Sequence, residues 1–215
     1  MANARPMSSG VKTIRMTRTA AVATGAALLL VAAVALAQSS EDNSKCLDLD
    51  NASKDEIIAG CTAVIQFGGL SGRDLAAAYF SRGVAYNLKS QPDAAIKDLD
   101  QVLKLTPDDS TAIQQRAGAY FSKGDFDHAL ADVDQWIRLE PNDFQAYNNR
   151  ATIHYALGQW EKAVADFTVA IGLNPKVALI YYSRAFALDK LGRHERAMAD
   201  YTEAIRLDPS LKNRH

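Results

Sequence analysis

Four prolines, Pro107, Pro141, Pro175 and Pro209, stand at a constant step of 34 residues, and each closes nearly the same phrase. The phrases are "KDLDQVLKLTP", "ADVDQWIRLEP", "ADFTVAIGLNP" and "ADYTEAIRLDP". A fixed period between about 20 and 50 residues is the signature of a solenoid, in which each unit buries its apolar face against the next. Taking each unit to end two residues after its proline gives repeats 76–109, 110–143, 144–177 and 178–211.

Aligned in this way, the columns agree in size as well as in polarity. Position 4 reads Tyr79, Ile113, Tyr147, Tyr181; position 8 reads Gly83, Ala117, Ala151, Ala185; position 20 is Ala95, Ala129, Ala163, Ala197. Position 24 is apolar throughout, as Leu99, Val133, Phe167 and Tyr201. Within a repeat the apolar residues recur every three or four positions, which is helical spacing, in two stretches. Gly124, Gly158 and Gly192 separate the stretches, and Ser90 followed by Pro92 does so in the first repeat. Glycine suits a left-handed helix end, and proline suits the first turn of the next helix. Small residues at positions 8 and 20 let the two helices approach, while positions 4, 24 and 28 fill the seam. The expectation is an all-α solenoid of helix–turn–helix hairpins.

The pattern resembles the tetratricopeptide repeat, most closely in "YNNRATIHYALGQWEKAVADFTVAIGLNP" and "YYSRAFALDKLGRHERAMADYTEAIRLDP". The likeness covers 76–211 and departs at two places. Position 7 is arginine where the family usually has leucine, and Trp136 stands where alanine is usual, so the seam between the second and third repeats should be adjusted.

Upstream, "SKDEIIAGCTAVIQFGG" opens on a Ser53–Glu56 capping box and closes on two glycines. It matches a second helix alone, a half repeat over 53–75 covering the N-terminal face, preceded by an extension over 38–52. Cys46 and Cys61 are the two cysteines; no second pair or spaced histidines complete a zinc site, and a disulfide is the stronger reading in an exported chain. At the other end only "SLKNRH" follows Pro209, too short for a solvating helix, so an exposed apolar edge and self-association through the last hairpin are expected.

The first 37 residues stand apart. Arg5, Lys12, Arg15 and Arg18 precede the apolar run Ala20–Ala37, which leaves through Ala35-Leu36-Ala37. This is the plan of a secretory signal peptide, with Met1, Met7 or Met16 as the start, and it points to the periplasm. The alternative is an uncleaved anchor facing the periplasm, since 18 apolar residues just reach a membrane span. Removing the leader takes the net charge from −1 to −5, which disfavours nucleic acid; a membrane is a partner only if the leader stays.

No catalytic set, cofactor motif or metal site emerges. His128, His154, His194 and His215 are scattered, and "HERAM" fails as a zincin motif at Met198. Arginine at position 7 (Arg82, Arg116, Arg150, Arg184) and aspartate at position 23 (Asp98, Asp132, Asp166, Asp200) match in number and read as structural pairs. The resemblance implies a concave groove lined by positions 2, 5, 9, 12 and 13 of each first helix. Here that selects Phe80, Asn87, Gln114, Phe121, Gln145, Asn148, Thr152, Tyr155, Tyr182, Phe186 and Asp189, rings and amides suited to an extended peptide. Phe80 and Val84 replace the basic and amide positions of the family's carboxylate clamp, so recognition of an acidic C-terminus is not implied. The expected function is a non-catalytic scaffold for a protein or peptide partner.

Overall fold

The computed structural model describes residues 41–67 and 69–213; the leader lies outside them. Residues 41–47 are helical (α1), followed by α2 (Lys54–Phe67), α3 (Gly72–Leu88), α4 (Pro92–Leu105), α5 (Ser110–Lys123) and α6 (Phe126–Leu139). Then come α7 (Phe144–Ala156), α8 (Trp160–Leu173), α9 (Ala178–Lys190), α10 (His194–Leu207) and a short 3-10 helix, Pro209–Asn213. No strand occurs among the described residues. The chain is all-α, and each repeat is one antiparallel hairpin.

Helix ends fall where their chemistry requires. Gly124, Gly158 and Gly192 take positive φ values of 78°, 71° and 71°, and Ser90 takes the same left-handed turn at 55°. Pro92 opens α4. Asp109, Asp125 and Asp143 cap α5, α6 and α7 by accepting from the Ala112, His128 and Gln145 N–H groups. The Ser53–Glu56 capping box closes reciprocally: Ser53 N–H donates to Glu56 Oε2 at 2.9 Å, and Glu56 N–H to Ser53 Oγ at 3.3 Å.

The small columns are buried without exception. The position-20 alanines and the position-24 side chains face the first helix of the same hairpin, and each second helix then packs on the first helix of the next repeat. Trp136 is buried at this seam, at 2% exposure. It packs with Ile113 and Ala146, and Ile113 is the one position-4 residue that is not tyrosine. Isoleucine in place of tyrosine at position 4 gives back only a small part of the volume the indole adds.

The arginine column stitches repeats together. Each arginine gives Nε and Nη2 to the position-23 aspartate of its own hairpin, as Arg116 does to Asp132 at 2.8 and 2.6 Å. Its Nη1 reaches back to the preceding hairpin: Arg82 to Thr62, Arg116 to Asp100, Arg150 to Asp134, Arg184 to Thr168. The aspartates are buried, and bonding to them holds Arg82, Arg116 and Arg150 above their ordinary pKa. Three of the guanidinium groups lie over the position-4 tyrosine; Arg116, whose position 4 is isoleucine, lies toward Tyr120 instead. Leucine could fill the same seam, but only arginine makes three fixed polar contacts across it.

The N-terminal end holds more than a lone second helix. Helix α1 lies against α2 so closely that a Cβ on Gly60 would sit 2.6 Å from the Asp42 carbonyl oxygen. Cys46 and Cys61 form a disulfide between the two helices, and both are fully buried beside Ile57, Val64, Ala78 and Ala85. Residues 41–47 thus occupy the place of a shortened first helix, a finding the sequence pattern did not anticipate. At the C-terminal end, Leu211 of the 3-10 helix is buried against α10. Met198 remains 63% exposed, whereas its column mates Ile96 and Val164 are covered by the following repeat. The apolar edge expected there is therefore present but reduced.

Candidate partner-binding face

Two cavities on one face repeat the same construction a single unit apart. One, of about 180 Å³, is lined by Ala117, Gly118 and Phe121 of α5, Val133 of α6, and Asn149, Thr152 and Ile153 of α7. The other, of about 250 Å³, is lined by Thr152 and Tyr155 of α7, Phe167 of α8, and Ser183 and Phe186 of α9. Column by column they correspond. Phe121 becomes Tyr155, Val133 becomes Phe167, Asn149 becomes Ser183, and Thr152 serves as the far wall of one and the near wall of the other. The first helices supply the walls because their outer turns have no further layer over them. The buried position-24 side chain supplies each floor.

None of the residues lining this pair is charged. The walls combine aromatic rings with small polar groups, so an apolar side chain can be desolvated in each cavity while backbone polar groups meet amide or hydroxyl at the rim. Phe186 is the most exposed ring among those lining the two cavities, at 39%.

The eleven groove residues expected from the sequence separate into four sets. Phe121, Thr152, Tyr155 and Phe186 line the paired cavities. Phe80 lines a different cavity of about 440 Å³, with Arg73, Ala76, Thr106 and Asp109, at the N-terminal ends of α3 and α5. Gln114, Gln145 and Asn148 stand on the same helices but line none of these three cavities.

The remaining three are engaged internally. Asn87 donates Nδ2 to the Gln115 carbonyl at 2.9 Å, joining α3 to α5. Tyr182 packs edge-on against Phe186 and Tyr201, with ring centroids 5.0 and 5.4 Å apart. Asp189 accepts from Tyr201 Oη and approaches His194 Nδ1, each at 2.9 Å. Burial first, then the bond to Asp189, raises the Tyr201 hydroxyl well above its ordinary value.

Sequence reasoning missed Gly118, Asn149 and Ser183. A signal did exist for Gly118: glycine inside a helix is unfavourable by about 1 kcal/mol relative to alanine. Here a Cβ would meet nothing within 4 Å, so neither backbone geometry nor packing demands it. What it does is open the smaller cavity. Among the histidines, His154 sits between Gln159 and Asp166, and burial lowers its pKa more than Asp166 raises it. It fills a column otherwise held by Tyr86, Tyr120 and Leu188. No group of residues suited to a metal ion occurs among the described residues, and no described helix is long and apolar enough to cross a membrane.

Stacked hairpins with an open face of repeated cavities define a helical-repeat interaction module. The chain belongs to the tetratricopeptide repeat family, which matches it over residues 76–109, 115–178 and 178–211. Among solved structures it is similar to MamA, residues 41 to the end, from Desulfovibrio magneticus RS-1, with a TM-score of 0.72 and 18% identity over 82% of this chain and 98% of that one. A MamA RS-1 double mutant gives 0.71 and 19%, covering 82% and 97%; MamA MSR-1 gives 0.68 and 18%, covering 81% and 98%. At such identity the likeness speaks for the fold.

Proposed function

We propose that this protein is an exported, non-catalytic scaffold that holds a segment of a protein partner against the face formed by α5, α7 and α9. The supporting observation is the paired, uncharged, aromatic-walled cavity repeated along that face. Export rests on the basic lead and apolar run of the first 37 residues. The test is recovery of a partner from a periplasmic extract by the native protein and by a Phe121→Gln/Tyr155→Gln/Phe186→Gln variant whose helical circular dichroism is unchanged. Loss of the partner in the variant supports the assignment; equal recovery removes this face as the site.

A second arrangement keeps Ala20–Ala37 as a membrane tether, with the same face presented to the periplasm. Mass spectrometry of the mature N-terminus separates the two, because a chain beginning near Gln38 has lost the tether. The bare Met198 edge of α10 supports self-association as well, which sedimentation across a concentration series reads directly.

A further inference from the structure

We infer that the cavity of about 440 Å³ between α3 and α5 binds a free α-amino acid with an apolar side chain. It shares no lining residue with the paired cavities of the partner-binding face, and the inference is independent of that proposal. Its volume lies within the range of small-molecule sites, about 300–1,000 Å³. The paired cavities, at about 180 and 250 Å³, fall below that range.

The cavity belongs to this seam because the first repeat departs from the other three. Arg73 stands 34 residues before Pro107, and with no proline there α3 begins at Gly72, ahead of the repeat. The later first helices begin at Ser110, Phe144 and Ala178, each three residues after its proline. The added turn of α3 brings Arg73 to the cavity wall. Position 27 is Val102 here, whereas one repeat on it is Trp136, whose indole packs on Ile113 and Ala146. Valine at that place leaves room.

Charge selects the ligand. Arg73 and Asp109, on different helices, both line the cavity, and neither forms an ion pair with the other or with any described residue. Asp109 would repel an anion, Arg73 would repel a cation, and a neutral ligand would leave both charges without a partner. A zwitterion satisfies both. Asp109 already accepts from the Ala112 N–H at 3.0 Å, which holds its carboxylate in place. Ser81 is 4% exposed and makes no hydrogen bond from its hydroxyl to any described residue. No fully enclosed side-chain polar atom among the described residues lacks a partner, so that hydroxyl opens on the cavity, where it can donate to a carboxylate. Thr106 Oγ1 donates to the Val102 carbonyl at 3.0 Å and keeps its lone pairs for an ammonium. Ala76, Ala77, Phe80 and Val102 give the side chain of the ligand an apolar surface.

The experiment is a ligand-detected NMR titration of the full chain with L-leucine, 4-methylpentanoate, L-leucinamide and glycine. Leucine should bind about tenfold tighter than each of the other three, which lack in turn the ammonium, the carboxylate and the apolar group. That factor is at the low end for a charged hydrogen bond because Arg73 is exposed. Arg73→Gln should abolish the preference for leucine over leucinamide. Asp109→Asn keeps a capping side chain on α5 and should abolish the preference over 4-methylpentanoate. Ala77→Leu introduces the residue that Leu179 supplies at the same position of α9, and leucine binding should be lost while helical circular dichroism is unchanged.

Binding of 4-methylpentanoate or leucinamide as tight as that of leucine overturns the zwitterion assignment. N-acetyl-L-leucine imitates a peptide C-terminus, and its binding as tightly as leucine overturns the free amino acid as ligand. Leucine binding that all three variants leave intact lies elsewhere on the chain and overturns the site. Absence of binding by every probe overturns the inference outright.

Discussion

Removing one carboxylate from the arginine column should cost far more than removing both partners. In the second repeat Asp132, buried, accepts from Arg116 at 2.8 and 2.6 Å, while Asp100 of the preceding hairpin accepts the third bond at 2.7 Å. Asp132→Ala deletes two charge-assisted bonds, each worth about 1.5–3 kcal/mol when buried. It leaves a guanidinium whose side chain is only 20% exposed. Retention of the Asp100 bond, some water access and the better helix propensity of alanine offset part of this loss, giving a net cost of about 2–3 kcal/mol. Arg116→Leu/Asp132→Ala restores the family's usual leucine at position 7 and strands no charge, so its cost should be about 1 kcal/mol or less. Urea denaturation followed at 222 nm gives both values, and the double-mutant cycle gives the coupling. Costs for the double variant equal to the sum of Asp132→Ala and Arg116→Leu would refute the assignment of the column as a coupled seam.

Gly60→Ala should cost about 1–3 kcal/mol by overpacking, because its Cβ meets the Asp42 carbonyl; amide exchange should rise in 41–47 and α2 while α7–α10 are unaffected. Reducing the Cys46–Cys61 disulfide should destabilise the same end by about 3 kcal/mol for a loop of this size, read as a lower urea midpoint after treatment with a phosphine. Burial lowers the His154 pKa, so the folded state favours the neutral ring. That contribution is complete above the ordinary histidine range near about 6.5 and is lost as pH falls through it. His154→Tyr should therefore flatten the fall in melting temperature between pH 7 and pH 5, whereas an unchanged slope would assign that fall to other groups.

Local sequence chemistry carried most of the fold. The 34-residue period gives the spacing of the hairpins because prolines, left-handed glycines and invariant alanines act within a few residues of themselves, whereas the start of α3 at Gly72, ahead of Ala76, lies outside that pattern. The arginine–aspartate pairing was legible from matched columns, but its third bond, back to Thr62, Asp100, Asp134 or Thr168, joins different repeats and varies in chemistry. Helix α1 was missed because 41–47 is short and polar outside Cys46 and the exposed Leu47, and what places it there is the bare backbone of Gly60. The face was legible only by column. Position 12 behaves differently at Asn87 and Asp189, which bond within the protein, from Phe121 and Tyr155, which line cavities. Which member of a column is engaged depends on neighbours a repeat away, and a single column does not contain that information.

The most direct test of the account is site-specific photocrosslinking in the living cell. A benzophenone amino acid is placed at Phe186 on the cavity face and, separately, at Glu161, an exposed position on α8. Irradiation should give a discrete higher-mass adduct from position 186 and none from position 161. The same adduct from both positions, or one from Glu161 alone, would contradict the assignment of the α5–α7–α9 face as the place where another chain is held.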